Sequence, residues 1–94
     1  MSDASLRLDR WLWHARFVRR REMAAALVER RCVRLNGELV TRPHRPVRAG
    51  DVLTLGIGRR VYLVRVVALG TRRGPAAEAR TLYEALPGSD PLPR

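Results

Sequence analysis

The chain has 94 residues, enough for one domain with one modest core and too few for an ordinary two-domain enzyme. Its 19 basic residues are all arginine and stand against 9 acids, a formal net charge of +10 that points to a polyanionic partner. Hydrophobic content is 46%, yet no apolar run nears the roughly 18–20 residues that span a bilayer, no signal-peptide core opens the chain, and the single Cys32 rules out an internal disulfide. A soluble, cytoplasmic, monomeric protein without membrane contact is expected.

Residues 1–6 read as a flexible tail. Asp9 is placed to cap a short helix through about Phe17, with Leu8, Leu12 and Ala15 at helical spacing and Trp11 beside them. A break near 18–20 precedes a second helix, about Arg21 to Arg30, whose apolar stripe is Met23, Ala24, Leu27 and Val28. Two helices this short need each other and a sheet. Cys32, Val33 and Leu35 read as a strand ended by Asn36-Gly37, a strong hairpin signal because both positions tolerate positive φ.

Thr41 to Arg48 holds Pro43 and Pro46 and reads as a loop or edge segment. Val52, Leu53, Leu55 and Ile57 form the next strand, Gly58-Arg59 turns the chain, and Arg60 to Leu69 is the longest β signal. A last helix is expected over Ala76–Leu86, and the proline-rich residues 87–94 read as a disordered tail. The expected fold is α+β: two short N-terminal helices packed on a small twisted antiparallel sheet, with a C-terminal helix. Residues 7–86 form the single domain, with a core motif at 7–55.

Neither histidine suggests catalysis. His14 lies on an arginine-rich helix and His44 sits between Pro43 and Arg45, with no Cys, Ser or carboxylate at the spacing of a triad or metal site. Cys32 reads as a small hydrophobe, although Arg30, Arg31 and Arg34 nearby leave a reactive thiol open. Gly56, Gly58 and Gly70 punctuate strands and form no phosphate-cradling loop. No catalytic residue, metal or cofactor is expected.

The arginines are uneven. From Arg10 to Arg48 eleven arginines face three acids, whereas from Ala49 to Arg94 seven face four. Arg16, Arg19, Arg20 and Arg21 fall where the two helices meet, and Arg30, Arg31 and Arg34 lead into the first strand. Successive arginines repel one another unless a polyanion relieves them, and their planar forks match phosphate oxygens. The spacing is expected to bring the two groups together on one surface for structured RNA. Arg30 and Arg31 also suit the C-terminal dipole of the second helix, while Arg42, Arg45 and Arg48 fall on the proline loop. Trp11 and Trp13 are about 200° apart around a helix. Trp11 is therefore expected in the core, with Trp13 covering the last helix or stacking on a base.

Arg7-Leu8-Asp9, Leu12, Arg21, Ala24, Leu27-Val28, Val33, Asn36-Gly37, Pro43, Val47 and Gly50-Asp51 together resemble the alpha-L RNA-binding motif, the S-four domain. Arg7 to Phe17, with Arg72-Arg73-Gly74-Pro75-Ala76, Glu78-Ala79 and Leu82-Tyr83-Glu84, is similar to its heat-shock protein fifteen subgroup. The resemblance implies a stand-alone RNA-binding protein of the large ribosomal subunit, bound to ribosomal RNA and peptidyl-tRNA after aborted translation. It implies an RNA surface of Arg7, Arg16, Arg19, Arg20, Arg21, Arg34, Arg42 and Arg45. The family commonly has Gly where Arg31 stands; a left-handed residue there would cost Arg more than Gly, so either the helix ends differently or Arg31 is strained. Well-known members also carry a long basic C-terminal extension, whose contacts are not expected from this sequence. A duplex-DNA binder of helix-turn-helix type, an accessory module of an RNA-modifying enzyme and a structural ribosome component are the competing readings.

Overall fold

A computed structural model describes residues 4–92. The first helix, α1 (Leu8–His14), buries Leu8, Trp11 and Leu12 on one face, with Ala15 following at the next turn. Its first amides need acceptors, and these come from a distant loop: Leu8 N–H donates to the Arg45 carbonyl at 2.9 Å and Asp9 N–H to that of Pro43 at 3.0 Å. Arg7, not Asp9, therefore occupies the cap position, without a side-chain cap. Asp9 is instead a buried acid in the first turn, where the helix dipole favours it.

The helix stops short of Phe17 because Arg16 turns left-handed at φ 63°. Phe17 N–H then reaches back to Leu12 O at 3.0 Å and Arg16 N–H to Trp13 O at 3.2 Å, the paired closure of a Schellman end. The second helix, α2 (Arg21–Glu29), ends in the same way. Arg31 has φ 60°, its N–H meets Val28 O at 3.0 Å, and Cys32 N–H meets Leu27 O at 3.0 Å. Of the two outcomes the sequence leaves open at position 31, the left-handed, strained arginine is the one present. Ala24 and Val28 are buried and Leu27 partly so, but Met23, expected in the apolar stripe, is 47% exposed.

A two-residue pair links β1 (Leu6–Arg7) to β4 (Pro46–Val47), so Leu6 is not part of a free tail, and residues 1–3 lie outside the described residues. The main sheet runs β3-β2-β5-β6-β7, antiparallel throughout. Here β2 is Val33–Leu35, β3 Glu38–Leu39, β5 Val52–Ile57 and β6 Arg60–Val66. Asn36 and Gly37, at φ 50° and 85°, make the two-residue turn from β2 to β3. Asn36 also clamps the neighbouring strand, accepting from Val52 N–H at 2.8 Å and donating to Asp51 at 3.2 Å. Cys32 lies just before β2 and is partly exposed.

The C-terminal helix is shorter than expected. α3 covers only Ala76–Ala79, a 3-10 turn holds Arg80–Leu82, and Tyr83–Ala85 becomes a strand, β7, paired with β6. The open edge of β6 and an aromatic cluster outweigh helix propensity: the Tyr83 ring lies 4.7 Å from that of Phe17 and 6.4 Å from that of Trp11. Residues 86–90 continue along the same edge. Ser89 Oγ accepts from Leu63 N–H at 2.9 Å and the Asp90 carboxylate from Val61 N–H at 2.7 Å, so the expected disordered tail is pinned here, and residues 93–94 lie outside the described residues. Trp11 sits at the centre of the core, its indole N–H donating to Ala68 O at 2.9 Å.

Candidate nucleic-acid interface

The ten candidate arginines, Arg7, Arg16, Arg19, Arg20, Arg21, Arg30, Arg31, Arg34, Arg42 and Arg45, are all exposed. Asp9 organises the first of them. Its carboxylate accepts from Arg7 at 2.9 and 3.1 Å and from Arg10 N–H at 2.8 Å, and it lies 3.6 Å from Arg21. Two guanidiniums thus share one buried acid, which holds them at the start of both helices. Among the described residues Asp9 is the only carboxylate in an ion pair with any of the ten.

The proline loop joins this corner through its backbone. Arg7 pairs with Pro46 across β1 and β4, and the carbonyls that close α1 belong to Pro43 and Arg45. Arg42 and Arg45 therefore flank Arg7, and with Thr41, His44 and Pro46 they line a groove of about 310 Å³. Arg19 and Arg20 occupy the turn between the helices, and neither makes a side-chain hydrogen bond or ion pair among the described residues.

Arg30 and Arg31 lie at the far end of α2, about 13 Å from Arg21 at 1.5 Å per residue. The two groups are not a single cluster; they bracket one helix. Arg34 projects from β2 and donates to Gly37 O at 3.3 Å, on the tip of the Asn36–Gly37 hairpin.

Arg16 departs from the expected free cation. Its Nε donates to Gly74 O at 2.6 Å, tying the helix junction to the loop before α3. Around that tie stand two arginines the sequence argument did not choose, Arg73 and Arg80. Their signal in the sequence is the adjacent pair Arg72-Arg73 ahead of Gly74-Pro75, a basic loop close to the last helix. Burial and the nearby Arg16 guanidinium both push the Arg73 pKa down. Arg72 is occupied elsewhere: it grips Glu78 at 2.7 and 3.1 Å, which holds that carboxyl below its ordinary value.

Trp13 is partly buried against the core, and the Arg73 guanidinium lies over its ring at 5.9 Å, a cation–π contact with the loop before α3. His14 is buried, with Nδ1 at 3.1 Å from Leu69 O, and serves the fold. No group of three or more potential metal ligands occurs among the described residues, and no helix there is long and apolar enough to cross a membrane.

The S4 domain model matches residues 6–53, the stretch that carries all ten arginines. Over 79 residues the chain is 40% identical to heat shock protein 15 of Escherichia coli (strain K12), covering 84% of this chain and 59% of that one. Over 84 residues it is 34% identical to a heat shock protein 15 homolog of Haemophilus influenzae, covering 89% and 63%. The chain thus spans less than two thirds of the length of these curated relatives. A solved heat shock protein 15 of Vibrio cholerae, described as trimeric, superposes with a TM-score of 0.84 at 34% identity, covering 92% of this chain and 86% of that one. The chain belongs to the S4 family of RNA-binding domains, in its heat shock protein 15 subgroup.

Proposed function

We propose that the protein docks on structured RNA by charge and shape, without catalysing a reaction. The RNA in this reading is ribosomal RNA of the large subunit together with peptidyl-tRNA, engaged in the cytoplasm when translation has stalled or aborted. The observation that supports it most is the arginine surface itself: exposed guanidiniums at both ends of α2 and on the adjoining loop, with one buried carboxylate, Asp9, between two of them. Guanidiniums spaced along a helix and held by backbone turns contact phosphates and give register rather than base sequence.

The helix-turn-helix reading fits less well. α2 presents Glu22, Met23 and Glu29 to solvent, and its arginines stand at the two ends. A helix meant for the major groove needs donors along the face that meets base edges.

The test is fluorescence anisotropy with ribosomal RNA fragments and duplex DNA at equal salt. RNA should compete better, and log affinity should fall with log salt at about −0.7 to −0.9 per phosphate contacted. Arg19→Ala with Arg20→Ala should lower the slope's magnitude by about 1.5 and leave the melting temperature unchanged. Arg16 is unsuited to this test, because its bond to Gly74 and its φ of 63° make it part of the fold. Equal affinity of the double variant at moderate salt would defeat the reading. The sequence leads to a monomer, whereas the Vibrio cholerae relative is described as trimeric; light scattering on the free and RNA-bound protein measures the mass.

A further inference from the structure

Behind the helix junction lies a second basic concavity, separate from the groove of the proline loop. It measures about 200 Å³, and its walls carry Arg16, Arg19, Arg73 and Arg80 over a floor that includes Ala76 and Tyr83. These guanidiniums come from the end of α1, the turn before α2, the loop before α3 and the 3-10 turn. Among the described residues no carboxylate lines the cleft, and the acids next to it in sequence, Glu78 and Glu84, are paired with Arg72 and Arg65. Arg73 is fixed before any ligand arrives: it lies over Trp13, reaches Val18 O at 3.5 Å, and keeps a buried Nε without a partner. Like charges assembled in one cleft, with no carboxylate among its described lining residues, are the arrangement of a site awaiting an anion.

We propose that this cleft clasps a phosphate group of the bound RNA backbone, so that the RNA surface extends past the S4 match onto the C-terminal segment. Arg19 belongs both to the cleft and to the basic turn, so a strand lying on that turn passes the cleft mouth. At about 30 Å³ per water, the space suits a phosphodiester and part of its ribose and is too small for a base pair. Arg73 and Arg80, beyond residue 53, thereby join the interface with Arg16 and Arg19. This rests on the RNA-binding reading above.

Arg80→Gln in the full chain is the test, because Arg80 is exposed and makes no side-chain hydrogen bond among the described residues. With ribosomal RNA fragments at low salt, affinity should fall about five- to tenfold, the size of one charge-assisted contact, and the salt slope by about one unit. The arginine Nε–H resonances of Arg73 and Arg80, followed by NMR in the unsubstituted chain, should shift on RNA addition together with that of Arg19. Inorganic phosphate is titrated in parallel to separate the free anion from the RNA source. Unchanged affinity and slope for Arg80→Gln, with the wild type binding RNA normally, overturns the clasp and leaves the RNA reading intact. Phosphate shifts at Arg73 and Arg80 that RNA does not reproduce also overturn it. A wild-type chain that binds no RNA overturns both.

Discussion

Replacing Arg31 by glycine should strengthen the fold and weaken RNA binding at once. Arg31 sits at φ 60° in the closing turn of α2, exposed and without an ion-pair partner among the described residues. A non-glycine residue in the left-handed region costs roughly 1–2 kcal/mol, and glycine's extra freedom in the unfolded chain takes back about 0.5–1 kcal/mol. The net gain is about 0.5–1 kcal/mol, a rise of about 2–8 °C in Tm for a domain of this size. The two backbone bonds that close the helix, from Arg31 and Cys32 N–H to Val28 and Leu27, need no side chain at 31 and survive the change. Arg31→Ala is the control, since it removes the same charge and keeps the left-handed penalty. Thermal unfolding by circular dichroism and anisotropy against a ribosomal RNA fragment give the two readouts. Glycine should raise Tm above both wild type and alanine, while both variants lose the same RNA affinity. A Tm that falls with glycine refutes the strain argument; affinity unchanged in both variants refutes a phosphate contact by Arg31.

Asp9→Asn should destabilise the chain by about 1–3 kcal/mol in urea unfolding, because a buried acceptor of three hydrogen bonds loses its charge. It should also loosen Arg7 and Arg21, seen as increased mobility of their Nε–H resonances. Asn36→Ala removes both side-chain bonds to β5 and its approach and puts alanine at φ 50°, so a loss of about 2–3 kcal/mol is expected by the same assay. The hydrogen bonds from Arg72 hold the Glu78 carboxyl below its ordinary pKa. The stabilisation from this pair is therefore complete above the unfolded value and disappears as pH falls through the lower folded value. Glu78→Gln should flatten that part of the acid unfolding curve, and an unchanged curve would show the pair contributes nothing.

Local chemistry announced much of the architecture. Asn36-Gly37 named its own turn, and Leu8, Leu12, Ala24 and Val28 declared their buried faces through spacing alone. The C-terminal segment did not read correctly, since Ala76 to Leu86 has helical composition and its fate was decided by a partner. Tyr83 found the free edge of β6 and the rings of Phe17 and Trp11, contacts that no local window contains. Asp9 was misread for a related reason. An acid ahead of an apolar stripe suggests a cap, but Pro43 and Arg45 had already supplied the acceptors. Among the arginines, chain proximity could locate Arg19–Arg21, yet it could not show Arg16 bonded to Gly74 or Arg73 and Arg80 folded in beside it.

The borrowed ending of α1 has a consequence for the order in which the molecule is assembled. A helix of seven residues does not persist alone in water, and the acceptors for its leading amides lie some three dozen positions downstream. A nascent chain emerging amino end first must therefore wait for Pro43 and Arg45 before the opening turn can set. Until then the guanidiniums at its start have no fixed layout. Pulse-labelled hydrogen exchange during refolding should show the amides of Leu8 and Asp9 becoming protected in step with Val47, and protection of α1 ahead of that strand would contradict this sequence of events.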